Sequence, residues 1–179
     1  PHQSQCEGRR KDGRSTLTYR ILTVCTGNIC RSPMAEVVLQ AAARNAGMDV
    51  EVEAAAVTAY EVGNPIDYRE NKILREAGYE VPRRGAYQIT RTDIAAYDLV
   101  LPMTREHLRS LQRLAQAVPE GKRAEIRLWS DFASDAAPLA DVDVPDPWYG
   151  GIDDFVETLE ILEDATDNIL DHARLGLGA

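Results

Sequence analysis

The chain has 179 residues, of which 44% are hydrophobic and 27% charged, a balance that suits one globular core and excludes disordered or fibrous classes. A formal net charge of -9 argues against nucleic acid as a partner, which requires clustered positive charge. No window approaches the roughly 20 uninterrupted apolar residues of a membrane span, and the N-terminal residues lack the apolar core of a secretion signal, so a cytoplasmic protein without a membrane partner is expected.

Residues 1–18 are polar, rich in Gly, Ser and Arg, and without apolar periodicity; they read as a tail preceding a single domain over residues 19–179. Tyr19–Val24 reads as a short strand. Pro33 then opens a helix with apolar residues at Met34, Val37, Val38, Ala41 and Ala42. Val50–Val57 makes a second strand, and Asp67–Ala77 a helix whose first residue is a good cap and whose stop is Gly78. Leu99–Met103 reads as a buried strand, followed by a helix over Arg105–Ala117 and a fourth strand at Ile126–Trp129. A long helix over Ile152–Ala173 places Phe155, Val156, Leu159, Leu162, Ile169 and Ala173 on one face.

Strands alternating with helices predict an α/β fold, a parallel sheet covered by helices on both faces. Ligands in such sheets bind at the carboxyl ends of the strands, which points to the loop after the first strand. The irregular stretch Ala133–Gly151, rich in Asp and Pro, is long enough to expect a function. Acids run from Asp131 to Asp171 without a Lys or Arg, which reads as a solvated face.

The first loop runs Cys25, Thr26, Gly27, Asn28, Ile29, Cys30, Arg31, Ser32, Pro33. A loop wrapped over a helix N-terminus aims several backbone N–H groups at one spot, and the helix dipole completes an anion site. Arg31 adds a planar fork for two phosphate oxygens. The same positive field favours the thiolate of Cys25 as a nucleophile. Ser32 can donate a hydrogen bond to that thiolate when it leaves, while Gly27 and Asn28 tolerate the backbone angles of a tight anion loop. The loop has neither the lysine nor the glycine spacing of a nucleotide-triphosphate loop.

A phosphate ester also needs a proton for its leaving oxygen. Asp146 is the candidate, because two prolines fix the backbone beside it in the stretch Val144–Gly151 and the aromatic Trp148 and Tyr149 follow. The cysteines number three, Cys6, Cys25 and Cys30, and match neither a disulfide framework nor a zinc pattern. Cys30 shares the nucleophile's loop and reads either as a redox partner of Cys25 or as a small core-facing residue. Cys6 has no assigned role. His107 and His172 read as surface or core filling within helices.

With these segments in view, the chain resembles the low-molecular-weight protein tyrosine phosphatases. The resemblance rests on VCTGNICRSPMAE at Val24–Glu36, VGNPIDYR at Val62–Arg69, YDLVLPM at Tyr97–Met103 and VPDPWYGG at Val144–Gly151. It implies a Rossmann-like three-layer sandwich with a four-stranded parallel sheet, and hydrolysis of protein phosphotyrosine without metal or cofactor. Cys25 would attack phosphorus, Arg31 and the amides of Thr26–Ser32 would hold the phosphoryl oxygens, and Asp146 would act as acid and then as base. By position Trp148 and Tyr149 would form the substrate rim and Tyr60 the opposite wall.

Two departures from the family pattern stand out. Ala54, Ala55, Ala56 and Val57 replace Ser-Ala-Gly-Thr after the second strand, which is expected to leave Asn28 short of a hydrogen bond; Thr104 replaces an acid. Rival readings on this fold are a phosphoarginine phosphatase, where relatives carry threonine at the position of Ile29, an arsenate reductase, and a non-catalytic phosphate-binding module. The arsenate reductase needs resolving cysteines downstream, and this chain has none after Cys30.

Overall fold

A computed structural model describes residues 18–134 and 142–178. Of the tail expected at residues 1–18, residues 1–17 lie outside the described residues; Thr18 donates its hydroxyl to Asp49 at 3.0 Å.

Strands β1 (Tyr19–Cys25), β2 (Val50–Ala56), β3 (Leu99–Pro102) and β4 (Glu125–Ile126) form one sheet in the order β2-β1-β3-β4. Every pairing is parallel, with Ile21 opposite Val52 on one side and Leu99 on the other. The central β1 is buried along its whole length, as a strand covered on both faces must be. Its alternation splits the core. Ile21 faces a cluster with Leu99, Leu101 and residues of α1 (Arg31–Asn45), α2 (Tyr68–Glu76) and α5 (Ile152–Leu177). Leu22 and Val24 face Val100, Ile94 of α3 (Arg91–Ala96) and Leu111 of α4 (Arg105–Ala115). Each such fully buried Leu or Ile stabilises the fold by about 1.5–3 kcal/mol, so the two clusters fix the sheet between its helical layers.

The α/β sandwich with its four-stranded parallel sheet is the expected one, and three elements differ in detail. Strand β4 is only Glu125–Ile126, not Ile126–Trp129, because the chain turns into a short helical turn at Trp129–Phe132 that delivers the fully buried Trp129 ring to the core. A short apolar run fits either conformation. Helix α3 was not anticipated: its six residues are too few for periodicity, although Thr90 and Asp93 make a reciprocal capping box. On α5, Val156 is exposed while Ile161 and Ala165 join the buried stripe.

The order β2-β1-β3 puts a reversal of winding beside the carboxyl end of β1. The loop between β1 and α1 opens there, at the place where a crevice forms in such sheets.

Candidate active site

The loop from Cys25 to Cys30 is held from outside by its own carbonyls. Those of Cys25, Thr26 and Ile29 accept the N–H groups of Val57, Thr58 and Asp67, and that of Cys30 accepts Met34 N–H. These four carbonyls are thereby committed to neighbouring backbone, and of the loop N–H groups that of Asn28 is directed at Cys25 Sγ. Asn28 has φ 60°, the left-handed conformation that makes the curl possible. A Cβ on Gly27 would meet the Glu61 side chain at 3.0 Å, so the close approach of that wall favours glycine. Helix α1 starts at Arg31 with no side-chain cap and no acid in its first turn. Its positive end is therefore free for an anion.

At the floor, Cys25 is nearly inaccessible and its Sγ accepts Asn28 N–H at 3.3 Å; Ser32 Oγ lies 3.0 Å away. Asn28 orders this serine. With its amide oriented to satisfy every neighbour, Nδ2 donates to Ser32 Oγ at 2.9 Å while Oδ1 accepts Tyr87 N–H and Arg84 Nη1, each at 3.0 Å. The Ser32 hydroxyl then has two acceptors within reach, Cys25 Sγ at 3.0 Å and Ala55 O at 3.2 Å. Asn28 is thus not short of a partner: Arg84 and the Tyr87 backbone supply what the alanines at Ala54–Ala56 cannot. Arg84 is anchored in turn by Glu36. Thr104, at the other departure, caps α4 by accepting His107 N–H at 3.2 Å.

Arg31 is buried and crosses to the loop before α5, with Nη1 3.2 Å from Val144 O and Nη2 3.4 Å from Asp146 Oδ2. Asp146 also accepts Trp148 N–H on Oδ1 at 3.1 Å. A cavity of about 170 Å³ opens between these groups. Cys25, Thr26, Gly27, Ile29, Cys30 and Arg31 line it from the loop, and Tyr60, Asp146, Trp148 and Tyr149 from the other sides. Asn28 and Ser32 lie fully buried and do not line the cavity. Tyr149 is 88% exposed and Tyr60 81%, so both rings are available to a ligand entering from solvent.

Four contributors were not read from the sequence. Glu61 lines the cavity beside Tyr60. Arg84 supports Asn28, as described. His107, taken as filler, is buried and shares a 2.8 Å hydrogen bond with Thr26 Oγ1. Burial, and secondarily the charge of Arg31, push its pKa down to about 4, so the ring is neutral at pH 7. Glu70 is fully buried on α2, and among the described residues neither carboxyl oxygen has a hydrogen-bond partner. Burial, then Cys25 and Asp67, raise its pKa well above the usual carboxylate range. Cys30 is likewise raised, by burial first and then by Glu70, and stays a neutral thiol. Among the described residues no group of three or more His, Cys, Asp or Glu side chains could hold a metal ion.

A cysteine thiol, the loop that follows it, an arginine and a carboxylate meet at one cavity, and known proteins share the frame. A protein from Streptomyces coelicolor described as a low molecular weight protein-tyrosine-phosphatase is 40% identical over 156 residues, covering 86% of this chain and 93% of its own. A protein tyrosine phosphatase structure from Entamoeba histolytica aligns with TM-score 0.77 and 30% identity over 89% of this chain and 98% of that one. A Drosophila arginine phosphatase structure, at 23% identity and TM-score 0.77 over 85% of this chain and 96% of that one, shares the fold. The family model described as low molecular weight phosphotyrosine protein phosphatase matches residues 20–176, and the chain belongs to that family.

Proposed function

We propose that this protein hydrolyses phosphotyrosine in proteins, and aryl phosphates, through a phosphocysteine on Cys25. The observation that carries this reading is the placement of the Cys25 sulfur at the floor of an anion loop, 3.0 Å from Ser32 Oγ, with Arg31 and Asp146 meeting at 3.4 Å on the wall.

In the first step the Cys25 thiolate attacks phosphorus. The S–P bond forms as the P–O bond to the aryl group breaks, and Asp146 gives its proton to the departing phenolate oxygen. The loop N–H groups and the Arg31 fork hold the equatorial oxygens where charge gathers. In the second step a water oxygen attacks phosphorus, its proton passes to Asp146, and the thiolate leaves under a hydrogen bond from Ser32. Inorganic phosphate is released and the site returns to its starting state.

Substrate choice follows from the walls. A phosphotyrosine ring reaches from the exposed Tyr60, Trp148 and Tyr149 to the sulfur, and the aromatic rim supports it by stacking. Phosphoserine is too short to keep both contacts and the in-line geometry. Phosphoarginine has one observation in its favour: Glu61 lines the same cavity and its carboxylate can accept a guanidino N–H. Against it, the apolar Ile29 side chain also lines the cavity and offers the guanidino group no partner.

Initial rates on matched phosphotyrosine, phosphoarginine and phosphoserine peptides test this. The expected order of kcat/KM is phosphotyrosine, phosphoarginine, phosphoserine, with Ile29→Thr narrowing the first gap. Equal or better activity on phosphoarginine would overturn the substrate assignment.

A further inference from the structure

The segment Val62–Arg69 contributes Asp67 and Arg69, neither of which lines the cavity. Asp67 N–H donates to Ile29 O in the anion loop at 2.9 Å. Its carboxylate receives Arg69 from two sides, Nε on Oδ1 at 3.1 Å and Nη2 on Oδ2 at 3.0 Å. The rest of the guanidinium grips the loop that carries Asp146. Nη1 donates to Gly150 O and Nη2 to Trp148 O, both at 3.1 Å. The same group lies over the Phe155 ring at 4.6 Å and the Trp148 ring at 5.5 Å.

A continuous set of contacts therefore runs from the anion loop, through Asp67 and Arg69, to the acid loop. Its last link is direct: Trp148, held through its carbonyl by Arg69, donates its own N–H to Asp146 Oδ1 at 3.1 Å. Burial would raise the Asp67 carboxyl, but the hydrogen bonds from the Arg69 side chain and backbone outweigh it and keep the group below the usual carboxylate range. The pair is thus a charged clamp anchored at the start of α2.

We propose that Arg69 is a positioning residue that sets the Asp146 carboxyl over the anion loop, so that its removal costs leaving-group protonation and spares phosphoryl capture. This rests on the reading of Asp146 as the general acid. A lysine cannot replace the clamp, because one ammonium cannot fork to Asp67 while reaching two carbonyls.

The test measures kcat/KM, which reports the steps through departure of the leaving group and not the later hydrolysis of the phosphocysteine, on phenyl phosphate, whose leaving group needs a proton, and on 2,4-dinitrophenyl phosphate, whose leaving group does not. Asp146→Ala, Arg69→Ala, Arg69→Lys and the double variant Asp146→Ala/Arg69→Ala are compared. A misplaced catalytic group costs up to about 100-fold, so both Arg69 variants are expected to lose roughly 10- to 100-fold on phenyl phosphate. On the dinitrophenyl ester they should stay within about twofold of wild type. The double variant should lose no more on phenyl phosphate than Asp146→Ala alone. Competitive inhibition by inorganic phosphate should be unchanged in Arg69→Lys. Equal losses on the two esters, a further loss in the double variant, or full activity in both Arg69 variants would overturn the inference. If Asp146→Ala itself shows no dependence on the leaving group, the acid assignment fails first, and the inference with it.

Discussion

Arg31 Nη2 and Asp146 Oδ2 stand 3.4 Å apart, although 115 positions separate them in the chain. In the proposed mechanism the contact joins the group that would hold phosphoryl oxygens to the group that would handle the leaving oxygen. Phosphorus seated on Arg31 would lie beside Asp146, the geometry that acid catalysis by that carboxyl would require.

Removing that donor has a selective cost. Asp146→Ala is expected to lower kcat/KM by roughly 100- to 10,000-fold on phenyl phosphate and much less on an ester whose leaving group needs no proton. Steady-state rates on the two esters check this, and equal losses would remove Asp146 from the role.

Peroxide should inactivate the enzyme reversibly. It oxidises the Cys25 thiolate to sulfenic acid; the Cys30 sulfur then attacks, water leaves, and a disulfide joins the two cysteines, both of which are free and line the cavity. Mass spectrometry of the oxidised protein should find the Cys25–Cys30 cross-link, and dithiothreitol should restore activity. If Cys30→Ser recovers from peroxide as fully as wild type, Cys30 is not the redox partner of Cys25.

His107 makes stability depend on acid. Its pKa falls from 6.5 in the unfolded chain to about 4 in the fold. A depressed folded pKa means that the stabilising contribution is complete above the unfolded value and is lost as pH falls through the folded one. Between pH 6.5 and 4, wild type should therefore lose stability relative to His107→Gln at up to about 1.4 kcal/mol per pH unit. Urea denaturation at several pH values reads the difference, and parallel curves would contradict it.

Glu70 has the opposite sign. Its folded pKa is raised, so its contribution is complete below the unfolded carboxylate value, about 4.3, and is lost as pH rises toward the folded one. Replacing this unpaired buried acid with methionine, Glu70→Met, should raise the melting temperature, with the gain over wild type growing as pH rises from 5 to 8. A gain that shrinks with pH would refute the raised pKa.

The readable parts of the site were those that the chain keeps together. Cys25, Arg31 and Ser32 fall in one strand-to-helix loop, and Asp146 is marked by Pro145 and Pro147 beside it. The supports were harder to see because they arrive from separate elements with no motif of their own. Arg84 reaches Asn28 from a loop between α2 and α3, and His107 reaches Thr26 from the first turn of α4. Sequence spacing carries no information about which long side chain crosses such a gap. For the same reason the loss of serine at Ala54 pointed to a weakened Asn28, when a guanidinium and a backbone N–H had taken over its support. In the fold, the miss at β4 came from its length, since a strand of two residues has no alternation to detect.

The proposed mechanism depends on Cys25 forming the bond to phosphorus, and that bond can be trapped. Wild-type enzyme mixed with an aryl phosphate, quenched in acid within one turnover and digested should carry one phosphoryl group on the peptide containing Cys25. Cys25→Ser, with unchanged circular dichroism and retained binding of a phosphate analogue, should carry none and should not turn over, because a serine hydroxyl is not ionised at neutral pH. A phosphoryl group on another residue, or turnover by Cys25→Ser above about a tenth of wild type, would contradict the account.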